Sequence, residues 1–547
     1  MSWLALVFLL SCSSYFVYGD KVVVCYYGTW ATYRAGLGKF AVENVNTDLC
    51  SHVVYSFTGI DSQGTMVSLD SNLDLDAGQG NFRKFTNLKE KNPNLKTILA
   101  VGGWNEGSAR YSIMAANPTF RQNFIQSALA MIREYNFDGL DLDWEYPNRR
   151  DTVHGLADVD NFTQLIRELK EEFDKFGLLL TAAVSSVRAS ASFSYDIPVI
   201  SQYLDYIHLM TYDMYGAWDP MTGHNAPLHK GEGDTGDRQD LYTVDVAVEY
   251  WLGQGCPPEK LVLGMPLYGR TFTLTNPAVN GVRAPAIGAG LSGPYTATAG
   301  YMGYNEICDR FQTETWDLKY DSLAKVPYAI QGANWISYDD AQSLTRKIEY
   351  ANSLNLAGGM VWSIETDDFN NVCGDGHFPL LRAINKALGR NENGGENEKP
   401  DTTTKKPSTT AATSKPSTTT TIDPSTTTDQ PKTTTKEPVT TSSTTTEEDS
   451  IDTIVTDGIV TTSSTVPSEA TTTPKDVNIV TTEATTISIC KEEGFTADPE
   501  DCSSFYMCVF DGNGELKPRR FKCPATTFWD QENLICNYGD KVQCDLD

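Results

Sequence analysis

Between residues 20 and 390 the chain carries short, β-rich apolar runs separated by stretches that read as helix. The runs are VVVCYY (22–27), HVVYSFTGI (52–60), KTILAVGG (96–103), GLDLDWEY (139–146), LLLTAAVSS (178–186), YIHLMTYD (206–213), LVLGMPLYG (261–269) and GGMVWSIE (358–365). After the fourth run, DNFTQLIRELKEEFDKFG places Phe162, Leu165, Ile166, Leu169 and Phe173 at helical spacing. Eight strands alternating with helices predict an α/β fold, a (β/α)8 TIM barrel. The longest gap, between residues 269 and 358, leaves room for an α+β insertion at about residues 270–335 between strands seven and eight.

One run breaks the apolar pattern. NFDGLDLDWEYPN (136–148) sets Asp138, Asp141, Asp143 and Glu145 among apolar and aromatic residues, and burying ionised carboxylates is costly unless something compensates. Side chains alternate along a strand, so Asp141, Asp143 and Glu145 share one face while Leu140, Leu142 and Trp144 take the other. In a closed barrel the acidic face points inward, and Glu145, last of the row, lies nearest the carboxyl rim where barrel enzymes keep their sites. Crowded carboxylates cannot all ionise, which leaves a proton available for donation. A general acid for glycosidic cleavage needs that proton. Asp138 is expected to support the strand. A calcium loop would want Gly after the third acid and a later Glu at fixed spacing; Trp144 and Tyr146 intervene here. A solvated acidic turn would not be flanked by Leu and Trp.

The chain ends change the picture from one domain to several parts. Residues 1–19, MSWLALVFLLSCSSYFVYG, hold an apolar core from Trp3 to Leu10 and end on small Gly19, as a signal peptide does, although no Lys or Arg precedes the core. That core is too short to span a bilayer, and secretion to an extracellular, oxidising compartment is expected. Residues 391–489 are rich in Thr, Ser and Pro and almost free of aromatics, so they cannot bury enough surface to fold. Such tracts are typically O-glycosylated stalks. Residues 490–547 form a third part with Cys490, Cys502, Cys508, Cys523, Cys536 and Cys544. So short a segment needs staples, and six cysteines permit fifteen connectivities among which spacing alone cannot choose. A zinc knuckle is disfavoured because CxxC spacing is missing.

The net charge of −28 predicts a soluble chain that repels nucleic acid and anionic membranes, so a neutral substrate fits best. Of the six His, none pairs with another at metal-ligand spacing, so neither a metal nor a cofactor is implied. Outside the leader and the C-terminal part the cysteines are Cys25, Cys50, Cys256, Cys308 and Cys373. An odd count leaves one free, and Cys256 is the candidate. Asn161-Phe162-Thr163 is an N-glycosylation sequon. Nothing demands more than a monomer.

FDGLDLDWEYP resembles the catalytic signature of the family 18 glycoside hydrolases, the chitinases, and the likeness runs through nearly all of residues 20–390. KTILAVGGW resembles the third-strand motif, with Ala100 where Ser is common; MTYDMYG (210–216) is similar to the sixth and GGMVWSIETDDF (358–369) to the eighth, with departures at Glu365 and Thr366. The resemblance implies a substrate-assisted retaining mechanism, the exception to the usual two-carboxylate scheme. Glu145 would be the acid and base, Asp143 would orient the acetamido N–H, Asp141 would share a proton with Asp143, and Tyr212 would hydrogen-bond the acetamido oxygen. Substrate contacts would come from Tyr26, Phe57, Gly102, Trp104, Tyr146, Met210, Asp213, Trp218, Tyr268, Arg270 and Trp362. Trp362 would be the floor beneath the cleaved sugar and Trp104 a platform on the leaving side, since sugar C–H faces pack on rings. Trp30 is a further wall candidate. Cys25–Cys50 and Cys308–Cys373 resemble the family's barrel disulfides.

The C-terminal part resembles a peritrophin-A type (type-2) chitin-binding domain. That likeness implies pairs Cys490–Cys508, Cys502–Cys544 and Cys523–Cys536. Phe505, Tyr506, Phe510, Phe528, Trp529 and Tyr538 exceed what so small a core needs, and Trp529, Tyr506 and Phe528 are the first choices for stacking on N-acetylglucosamine. The whole chain is thus similar to secreted arthropod endochitinases, with chitin and chitooligosaccharides as partners. Rivals are an inactive chitin-binding lectin, an N-glycan endoglycosidase and a structural matrix protein. The intact acid disfavours the first and third, and the chitin-binding tail disfavours the second.

Overall fold

A computed structural model describes residues 21–390, 494–499, 501–510, 516–523, 527–530 and 535–538. They fall into two compact units. In the first, eight strands lie parallel: β1 (Val22–Gly28), β2 (His52–Ile60), β3 (Lys96–Gly102), β4 (Gly139–Asp143), β5 (Leu179–Ser185), β6 (Tyr206–Met210), β7 (Leu261–Pro266) and β8 (Gly358–Trp362). Each pairs with its sequence neighbour, and β8 pairs with β1, so the sheet closes on itself. This is the expected TIM barrel. Strands covered on both faces must be apolar throughout, and β1, VVVCYYG, is buried along its whole length. Helix Ala157–Phe173 covers β4 with Phe162, Leu165, Ile166, Leu169 and Phe173, all buried.

Four of the apolar runs outlast their strands by a full three residues. β4 stops at Asp143, so Glu145 lies two residues beyond it and not in the ladder. The cause is local. Its neighbour β3 turns away at Gly102 and Gly103, whose φ values are 115° and 84°, after Gly103 N donates to the Asp143 carbonyl at 2.7 Å. β6 ends at Met210 and β8 at Trp362, leaving Tyr212, Asp213 and Glu365 just past the carboxyl ends. The seventh run is two strands. β7 ends at Pro266, and Tyr268–Leu274 leaves the barrel to head an antiparallel sheet with Ala286–Ala289, Tyr301–Gly303, Asp317–Asp321, Val326–Gln331 and Asn334–Ser337. With helix Tyr304–Thr313 this is the α+β insertion, slightly wider than the sequence suggested.

Cys25 is bonded to Cys50 and Cys308 to Cys373. Cys256 is free and buried, and burial pushes its thiol up to about 11. Asn161 lies on the helix behind β4, half-buried. No helix among the described residues is long and apolar enough to cross a membrane.

In the second unit Gly494–Ala497, Ser504–Phe510 and Leu516–Lys522 form one antiparallel sheet, and Thr527–Asp530 pairs with Ile535–Tyr538. Cys502, Cys508 and Cys523 are disulfide-bonded. Cys490 and Cys544, and the side chains of Cys536 and Trp529, lie outside the described residues, as do the leader and the tract 391–489. Phe505, Tyr506 and Phe528 are half-buried.

Asp138 ties β4 to its neighbour, as expected. Its carboxylate accepts from Thr97 N at 2.8 Å, Thr97 Oγ1 at 3.0 Å and Lys89 Nζ at 2.9 Å. Burial pushes this carboxyl up, but those hydrogen bonds outweigh it and hold it below the ordinary Asp value. A depressed value stabilises the fold above the unfolded pKa, and that contribution is lost as pH falls through the folded one. Asp138→Asn is therefore expected to lower the unfolding free energy at neutral pH by about 1–2 kcal/mol. In urea melts at stepped pH the gap should close on acidification.

Candidate active site

Asp141 and Asp143 point into the barrel from β4, 0% and 4% exposed. Asp141 accepts from Thr181 Oγ1 at 2.5 Å and Tyr26 OH at 2.7 Å, and His208 Nδ1 stands 3.2 Å away. Asp143 has a buried Oδ1 with no hydrogen-bond partner. Burial, then the charges of Glu145 and Asp141, drives its carboxyl far above the ordinary range. Glu145 is pushed up to about 7, chiefly by burial. A hydrogen bond from Tyr146 and the charge of Arg150 oppose this, while Asp213 adds to it.

Glu145 and Asp143 open into a cleft of about 1010 Å³ at the carboxyl ends of the strands, and Tyr212, Met210 and Tyr146 line it beside them. Trp362 packs on Phe57 (5.7 Å between ring centroids, 23° between planes) and on Trp30 (6.1 Å), and all three rings line the cleft. Trp104 stands 57% exposed with the Arg150 guanidinium 3.7 Å from its ring centroid. Arg150 also donates to the carbonyls of Trp104 at 2.7 Å and Glu145 at 3.2 Å. Asp213, at a left-handed φ of 58°, accepts from Tyr268 OH at 2.5 Å and Arg270 Nε at 2.8 Å. Arg270 in turn lies 4.9 Å from the ring of Trp218.

Two expected contacts do not line the cleft. Tyr26 is buried beneath Trp362 and spends its hydroxyl on Asp141 and His208. Gly102 matters for its backbone, because a Cβ there would meet the Asp143 carbonyl oxygen at 2.2 Å. Asp141 likewise sits under the floor. Sequence reasoning missed His208, although alternation in β6 puts it on the face of Met210. It also missed Arg34, which pairs with the buried Glu365 at 3.7 Å, and Thr296 and Thr298 from an insertion loop and Tyr301 from the short strand after it, none of which carries a recognisable motif.

The profile of the glycosyl hydrolases family 18 matches residues 22–367. The chain belongs to this family. A second profile, the chitin binding Peritrophin-A domain, matches residues 490–544. Among its relatives is Probable chitinase 2 of Drosophila melanogaster, 45% identical over 400 residues that span 67% of this chain and 80% of that one. The crystal structure of the Ostrinia furnacalis group IV chitinase in complex with allosamidin is 62% identical, with a TM-score of 0.67, over 68% of this chain and 99% of that one. Human YKL-39, a pseudo-chitinase with retained chitooligosaccharide binding, is 38% identical, with a TM-score of 0.63, over 68% of this chain and 100% of that one.

In this family 18 barrel the carboxyl of Glu145 should titrate with a midpoint at about 7, followed in the infrared as a band absent from Glu145→Gln. Removing the cation in Arg150→Gln should move that midpoint up. Removing the neighbouring anion in Asp213→Asn should move it down.

Proposed function

We propose that this family 18 chain is a secreted endochitinase that hydrolyses β-1,4 N-acetylglucosamine linkages. The observation that carries the reading is Glu145, a half-buried carboxyl raised to about 7 beside Asp143 in an aromatic-walled cleft. An acid with that pKa is matched to proton transfer near neutral pH.

Glu145 protonates the leaving oxygen while the 2-acetamido oxygen of the substrate attacks its own anomeric carbon. An oxazolinium ion forms, and water activated by the Glu145 carboxylate opens it with net retention. Asp143, sharing a proton with Asp141, orients the acetamido N–H and stabilises the cation. Tyr212 holds the acetamido oxygen. Trp362 carries the cleaved sugar and Trp104 the leaving side. The residue 1–19 leader exports the chain, and the 391–489 tract tethers the 490–547 module to the barrel. Anchoring on insoluble chitin by that module, with Trp529, Tyr506 and Phe528 stacking on sugars, raises the barrel's effective concentration at the surface without new contacts in the cleft.

The second reading is a chitin-binding lectin, since the relative YKL-39 is a pseudo-chitinase that retains chitooligosaccharide binding. The two separate on one comparison, of wild type and Glu145→Gln on chitin oligosaccharides and on insoluble chitin. The proposal expects kcat to fall by about 10²–10⁴-fold with binding retained. Wild-type hydrolysis should decline as pH rises through about 7, where Glu145 gives up its proton. A wild type that binds but cuts nothing at any pH is a lectin.

A further inference from the structure

Glu306 is a buried carboxylate for which the proposed reaction has no use. It is the third residue of helix Tyr304–Thr313 and is 1% exposed. Its two oxygens accept four hydrogen bonds from the chain just ahead of that helix. Oε1 takes Tyr295 N at 2.5 Å and Thr296 N at 2.8 Å. Oε2 takes Thr296 Oγ1 at 2.7 Å and Gly303 N at 2.8 Å. Four donors fill the capacity of a carboxylate. The fit is close, because a Cβ on Gly293 would come within 2.2 Å of the Glu306 carboxyl.

The segment fastened in this way has no helix or strand from residue 291 to residue 300. It nevertheless delivers Thr296 and Thr298 to the cleft and leads into the strand Tyr301–Gly303, whose Tyr301 also lines it. Tyr301 is stacked on Tyr268 at 4.5 Å. The same segment also braces a second loop. Tyr295 lies against Gly38, where a Cβ would stand 2.2 Å from the Tyr295 Cβ, and the chain just before Gly38 carries Trp30 and Arg34 into the cleft. Neither loop carries Glu145, Asp143 or Tyr212, so this wall adds contacts along the sugar chain and none from the proposed catalytic groups.

We infer that Glu306 is a positioning residue for chain-length preference, holding the irregular loop 291–300 and, through Tyr295, the turns at 29–38, so that the cleft is preformed for a long oligosaccharide. The inference rests on the chitin-hydrolysis reading. Preformed walls bind tightly because no loop has to be ordered on binding. Glu306→Gln keeps the size of the side chain but turns one oxygen into an NH2 group. If that group faces Thr296 Oγ1, the hydroxyl can reverse and accept, yet Gly303 N–H still meets a donor. Facing the other way, the amide leaves Tyr295 N–H and Thr296 N–H unpaired. Either way at least one buried N–H loses its partner.

The test compares wild type, Glu306→Gln and the milder Tyr295→Ala on a chromogenic disaccharide and on the N-acetylglucosamine hexamer. Each variant is expected to raise KM for the hexamer about tenfold, with kcat, and both constants for the disaccharide, within about twofold of wild type. An unchanged KM for the hexamer in both variants overturns the inference. An equal loss of kcat on both substrates overturns it too, since that marks a merely structural role. If wild type cleaves neither substrate, the hydrolytic reading has failed instead. Calorimetric binding of the hexamer then decides the positioning role, with about tenfold weaker Kd in the variants supporting it and equal Kd contradicting it.

Discussion

Desolvation of the carboxylates at positions 141, 143 and 145 is the constraint on which the site depends. Removing an ionised carboxylate from water costs several kcal/mol, and a hydrogen bond to a charged group returns about 1.5–3 kcal/mol. Asp141 is given donors, Thr181 and Tyr26, with His208 close by. Asp143 is given none on Oδ1 and stands between Asp141 and Glu145, so its carboxyl is driven far above the ordinary range. Glu145 stands at the mouth with an intermediate value of about 7. Three similar groups are thereby given three different surroundings. Tyr26, buried beneath Trp362 and outside the cleft lining, matters because it supplies one of those donors.

The second constraint is where the strands stop. The ladder between β3 and β4 ends because two glycines turn β3 aside, and Gly102 admits no side chain against the Asp143 carbonyl. Glu145, Tyr212, Asp213 and Glu365 are all released from the ladder within a few residues of a strand end. Their side chains are then aimed by local contacts: Arg150 on the Glu145 carbonyl, Tyr268 and Arg270 on Asp213, Ser363 Oγ at 2.6 Å on Glu365. The barrel fixes the mouth, and these contacts fix the chemistry within it.

The barrel and the acidic row were legible because both are periodic. Runs such as VVVCYY are strands wherever helices cover both faces, and alternation alone puts Asp141 and Asp143 on the inner side. The same rule reaches His208 through Met210. Alternation misleads once a strand has ended, which is why Glu145 belongs to a loop and the seventh run divides at Pro266. Tyr26 has the aromatic character of a cleft wall and the burial of a core residue, and only the Asp141 hydrogen bond distinguishes the two. Arg34, Thr296 and Thr298 were out of reach because they converge from distant loops held by single buried partners, Glu365 and Glu306, and Tyr301 because its three-residue strand in the insertion is too short to show a pattern.

The central claim is that cleavage proceeds by two successive displacements at the anomeric carbon, the first by the substrate's own acetamido group, so that the configuration is retained. The stereochemistry of the first product tests it most directly. Proton NMR of chitin hexamer hydrolysis, recorded before mutarotation, should show the new reducing end as the β anomer. The α anomer would mean that water attacks directly from the opposite face, and would contradict the account.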